Sequence, residues 1–143
     1  MYLSECNAYS VRANNIMLSA VRYLTLGDQR NLLNYFHREI YPFIEYHRDG
    51  MTGDIDPRKV RSVYTTSLLT IHRAVEEAHK AKITPEVWDI IYSLIQVHIT
   101  IGDDDKKLTE KHLQDAEKLL DIVKGKYPDP TRPAAFKPVR GLC

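Results

Sequence analysis

The sequence predicts an all-α fold: a single-domain helical bundle of four to five helices, ending in an extended C-terminal tail. Three observations carry that expectation. Apolar residues recur at three-four spacing in five stretches, the pattern of one helix face turned to a core. Helix-start signals stand at Asp28, Asp56, Thr84 and the Asp103 cluster. The one run that alternates as a strand would, Ile95 to Ile101, has no second strand in the sequence to pair with, and a lone strand is not stable. With 143 residues the chain fits one domain, expected over residues 1–127, with residues 128–143 as the tail.

The first helix is expected over residues 4–26, with Cys6, Ala13, Met17, Ala20, Val21 and Leu24 on its inner side. Asn14 and Asn15 are poor helix formers, so its first turns are expected to fray or stand apart. Gly27 offers a left-handed stop and Asp28 a fresh N-cap. The second helix follows toward His47 with Leu32, Leu33, Phe36, Ile40, Phe43 and Ile44 inside. Pro42 lacks a backbone donor and crowds the preceding turn, which predicts a kink near Tyr41. A loop is expected over 49–54.

Asp56-Pro57 then starts a third helix, whose apolar positions include Val60, Val63, Tyr64, Leu68, Ile71 and Val75. Thr84-Pro85 repeats the signal for a fourth, apolar almost all round except for a stripe of Asp89, Ser93, Gln96 and Thr100. Such a helix belongs at the packing centre. Gly102 is expected to end it. Asp103, Asp104 and Asp105 suit the positive start of a fifth helix, and Lys124 and Lys126 its negative end. The expected inner face there is Leu108, His112, Ala116, Leu119, Leu120 and Val123. Four prolines between Pro128 and Pro138 keep the remainder extended.

Composition narrows the function classes. Apolar residues at 43% and charged residues at 27% are ordinary globular values, and the net charge of +1 argues against bulk electrostatic binding of nucleic acid or anionic membrane. Cys6 and Cys143 form neither a disulfide framework nor a C-x-x-C pair. The first residues lack a signal-peptide pattern, and the most apolar stretch, 87–101, is too short and too polar-striped to span a bilayer. A cytoplasmic location is expected.

Catalytic signatures are missing from the sequence: it has no nucleophile elbow, no cysteine set beside a histidine and no glycine-rich phosphate loop. A non-enzymatic protein without a cofactor is expected. The sharpest cluster is His72, Glu76 and His79, whose offsets of four and three share one helical stripe. Two imidazoles and a carboxylate are a familiar zinc or iron donor set. A solvated edge with i,i+4 polar pairing explains the same residues. His98 and His112 fall on or near apolar faces, where a satisfied core or boundary residue is the simpler reading. The three aspartates lack the alternating ligands and closing glutamate of a calcium loop and read as a helix cap.

Two features bear on partners. Arg58, Lys59 and Arg61 crowd the start of the third helix, and the segment from Lys124 onward carries Lys124, Lys126, Arg132, Lys137 and Arg140 against Asp129 alone. These would suit phosphates, although no helix carries a basic stripe with residues placed for base edges. Nine tyrosines and the isolated aromatic Phe136 favour protein contact instead. The expected function is protein–protein interaction, as adaptor, inhibitor or regulatory subunit. Its binding residues would be Arg132, Phe136, Lys137 and Arg140 in the tail, with Arg58, Lys59 and Arg61. The alternatives are a nucleic-acid-associated regulator using the same basic residues, and a metal-binding bundle using His72, Glu76 and His79. A homo-oligomer is compatible with any of the three.

Overall fold

The computed structural model describes residues 3–35, 69, 72, 73, 76, 77, 80, 84–102 and 104–130. These residues are all-α: four helices are defined among them and no strand. They are α1 (Leu3–Val21), α2 (Leu26–Tyr35), α3 (Pro85–Gly102) and α4 (Lys106–Lys126). Leu69, His72, Arg73, Glu76, Glu77 and Lys80 also have helical backbone and are exposed, as positions off the expected apolar face should be. The kink at Pro42, the loop at 49–54 and the helix start at Asp56-Pro57 lie outside the described residues, as does the tail beyond Pro130.

The strand-like alternation of Ile95 to Ile101 is resolved as helix. Val87, Ile90, Ile91, Leu94, Ile95, Val97 and Ile101 of α3 are all buried, so this helix supplies more of the core than any other described element. The core stripe of α1 is Ser10, Ala13, Met17 and Ala20, continued just past its end by Leu24, and that of α4 is Thr109, Leu113, Ala116, Leu120 and Val123. Both repeat at alternating three and four, which keeps one seam facing its neighbours. Helices α1, α3 and α4 pack on one another, with α3 and α4 most extensively joined. Each fully buried aliphatic side chain at such a seam contributes about 1.5–3 kcal/mol.

Side-chain contacts give the directions of the three helices. Lys106 Nζ meets Glu5 Oε2 at 2.7 Å, and further along Arg12 meets Glu110 and Glu117. The starts are together and the middles are together, so α1 runs parallel to α4. Glu86 near the start of α3 meets Lys126 at the end of α4, and Thr100 near the end of α3 meets Thr109. Helix α3 is therefore antiparallel to both.

Several expected boundaries move. Helix α1 passes through Asn14 and Asn15 without a break, because tertiary burial of Ala13, Ile16 and Met17 on either side outweighs their low propensity. Gly27 is not a stop, nor Asp28 an N-cap. Thr25 caps α2: its Oγ1 accepts from the Asp28 N–H at 3.1 Å, and its carbonyl accepts from Gln29 N–H at 2.9 Å. Gly27 is the second residue of that helix.

The α3–α4 turn is also built differently from expectation. Gly102 remains in α3, and Asp104 takes the left-handed conformation, at φ 56°. The Asp104 N–H donates to Ile101 O at 3.1 Å and the Asp105 N–H to Thr100 O at 2.9 Å. This paired pattern is a Schellman motif. Asp105, its last member, is at once the N-cap of α4, its Oδ1 accepting from Leu108 N–H at 3.1 Å. One cap thus closes α3 and opens α4. It also sets the phase of α4, turning Thr109 and Leu113 inward and leaving Leu108 at 41% exposure and His112 at the boundary.

Candidate functional site

The expected partner-binding residues Arg58, Lys59, Arg61, Arg132, Phe136, Lys137 and Arg140 all lie outside the described residues, as does His79. Of the expected metal donors, His72 and Glu76 are placed. His72 Nε2 stands 3.0 Å from Glu76 Oε1, one helical turn away, and both side chains are more than half exposed. The imidazole also lies 6.0 Å from the Tyr92 ring of α3, centroid to centroid. This is the i,i+4 polar pairing of a solvated helix edge, resting on an aromatic. Among the described residues no group of three or more histidine, cysteine, aspartate or glutamate side chains is placed to hold a metal ion.

What the structure does bring together is a set of charged residues on the helix seams. On the α1–α4 seam, Arg12 Nε donates to Glu117 Oε1 at 2.7 Å and its Nη1 to Glu110 Oε2 at 2.8 Å. The carboxylates lie seven residues apart, two turns along one face of α4, so one guanidinium fork reaches both. Hydrogen bonds to Glu110 and then to Glu117 raise the Arg12 pKa, and the same guanidinium lowers that of Glu110. Lys106, held by Glu5, is likewise raised.

The second group sits at the opposite end of α4. Glu86 receives Lys126 Nζ on one carboxylate oxygen at 2.6 Å and the Tyr127 hydroxyl on the other at 2.7 Å. Burial opposes the Glu86 anion, yet the two hydrogen bonds outweigh it and the carboxyl is held below its ordinary value. Tyr127 is raised, by burial first and then by its bond to Glu86. Close by, Arg22 Nη2 donates to the Pro130 carbonyl at 2.8 Å and lies 3.9 Å from Asp129 Oδ1. The chain leaving α4 is therefore tied to the first turn of α3 and to the end of α1.

The sequence reading takes Lys124 and Lys126 as dipole partners and assigns Glu86 no role. Nothing in a single chain aligns residues about forty positions apart. The available signal was architectural: once α3 and α4 are read as an antiparallel hairpin, the start of one must face the end of the other. His98, expected as a core or boundary residue, is buried, its pKa lowered by desolvation to about 4. No helix among the described residues is long and apolar enough to cross a membrane. Compared with protein-family models, curated proteins and solved structures, the chain matches none.

Proposed function

We propose that the protein is non-enzymatic and acts by binding another protein, as an adaptor, inhibitor or regulatory subunit in the cytoplasm. In this reading residues 1–127 form a bundle of four to five helices, and residues 128–143 form a tail carrying Arg132, Phe136, Lys137 and Arg140 as binding residues. Arg58, Lys59 and Arg61 would add a second contact. The observation that supports protein over nucleic acid is that several of the described cations are engaged within the chain. Arg12, Arg22, Lys106 and Lys126 each face a carboxylate of the same chain. A phosphate-binding surface needs cations left available for the phosphates, since counterion release supplies most of its affinity.

The prolines favour docking by limiting the conformational freedom that the tail loses on binding. The test compares full-length protein with a variant lacking residues 131–143, each used to capture partners from its native host before and after nuclease treatment. Protein partners that survive nuclease and disappear with the deletion are the expected result. Partners lost on nuclease treatment would transfer the assignment to nucleic acid. Partners kept by the deleted variant would move the binding residues off the tail.

A further inference from the structure

We propose that residues 127–130 are a strap latched at two points, which fixes the path of the chain out of α4 and can open to free it. The inner latch is Glu86, whose two carboxylate oxygens hold Lys126 and Tyr127 at 2.6 and 2.7 Å. The outer latch is Arg22, which holds the Pro130 carbonyl at 2.8 Å beside Asp129. Between them the chain has left the helix: Tyr127 is extended at φ −112° and ψ 149°, its N–H still bonded to Val123 O at 3.0 Å. Pro128 and Pro130 cannot continue the helix, so side chains and one carbonyl do the holding.

The latches differ in strength by construction. Glu86 is only 17% exposed and makes two bonds as an anion, whereas Arg22 and Asp129 are 39% and 88% exposed and their charges stand 3.9 Å apart. Charge-assisted bonds out of water outlast exposed ones. The outer latch therefore opens first and the inner latch governs full release. This order holds whatever the tail binds. A partner drawing on Arg132, two residues past Pro130, would meet the weaker latch first.

Trypsin reads the strap directly. It cuts after Lys126 only when Lys126 is withdrawn from Glu86, and Pro133 and Pro138 protect the bonds after Arg132 and Lys137. Cleavage at Lys118–Leu119, inside α4, reports global unfolding in the same digest. When opening is fast relative to cutting, the rate follows the open population. Glu86→Gln should speed cleavage after Lys126 by roughly tenfold, Arg22→Ala by roughly two- to threefold, and the double variant by more than either, with Lys118–Leu119 unchanged. The proposal is overturned if the double variant is cut after Lys126 at the parent rate. It is equally overturned if both sites accelerate together, since the side chains would then hold the whole fold rather than a strap. If Arg22→Ala exceeds Glu86→Gln, the order of the latches is wrong.

Discussion

At the scale of single residues, His98 makes the sharpest demand. Its imidazole is buried on the most apolar helix, and desolvation lowers its pKa from about 6.5 to about 4. Between those values the unfolded chain binds a proton that the folded chain refuses, so stability falls as pH falls. At one pKa unit per 1.36 kcal/mol the loss between pH 7 and pH 4 comes to about 3 kcal/mol. His112 is lowered by partial burial and acts in the same direction, and Glu86 and Glu110 add theirs only below the ordinary carboxylate range. Replacing His98 by leucine should therefore flatten the stability profile between pH 6.5 and 4.5, as measured by urea denaturation across that range. An unchanged slope in the variant would mean that His98 is not the group responsible. The burial of His98 was legible in the sequence, because its neighbours at three and four positions are apolar. Its depressed pKa was not, since that depends on what packs over it from elsewhere.

At the scale of elements, the α3–α4 turn shows where local reading succeeds and where it stops. The run of aspartates announced a cap, but which aspartate caps and which turns left-handed follows from how the two helices meet. Behind that turn Thr109 Oγ1 lies 2.7 Å from Thr100 Oγ1 and 2.8 Å from the Asp105 carbonyl, while Thr100 donates to Val97 O at 3.0 Å. Thr109 has one hydroxyl proton for two acceptors, and Thr100 can accept it while giving its own to Val97. Both threonines are buried. Removing one hydroxyl takes a hydrogen bond from its partner, which keeps its own bond to a backbone carbonyl, so Thr109→Val should cost about 0.5–1.5 kcal/mol. Replacing both by valine should cost less than the two single changes added together, because a pair removed as a unit leaves little unsatisfied. A double-mutant cycle by equilibrium denaturation measures this, and strict additivity would show that the two hydroxyls act independently. Thr100 had been placed on a polar stripe of the fourth helix; the stripe is real at Asp89, Ser93 and Gln96, which are half-buried, and ends at Thr100 because α4 covers it.

At the scale of the whole molecule, the all-α class of the described residues and the large share of their core that α3 supplies were both readable, since an all-round apolar helix has few other places to go. Ile91 and Leu94 are fully buried there. Truncating either to alanine should cost about 2–5 kcal/mol, and a loss below about 1 kcal/mol in denaturant titration would contradict the packing described. The charged seam was not readable. Arg12 lies 98 and 105 positions from the two glutamates it joins, and no periodicity within one helix encodes a partner so distant. The inner face expected for α4 holds at Ala116, Leu120 and Val123 but is displaced by one residue at its start: Leu108 and His112 are expected where the cap at Asp105 and the position of α3 select Thr109 and Leu113, and Leu119 is only half-buried.

The parallel pairing of α1 with α4 has a consequence for the order in which the chain folds. The α3–α4 hairpin joins neighbours in sequence and closes a short loop, so it can form early. Helix α1 is made before α4 during synthesis, and the carboxylates that hold Arg12 follow it 98 and 105 residues later. Until then Arg12 has neither Glu110 nor Glu117 to hold it, and the contact of α1 with α4 cannot form. Docking of α1 onto α4 is thus a late event of assembly.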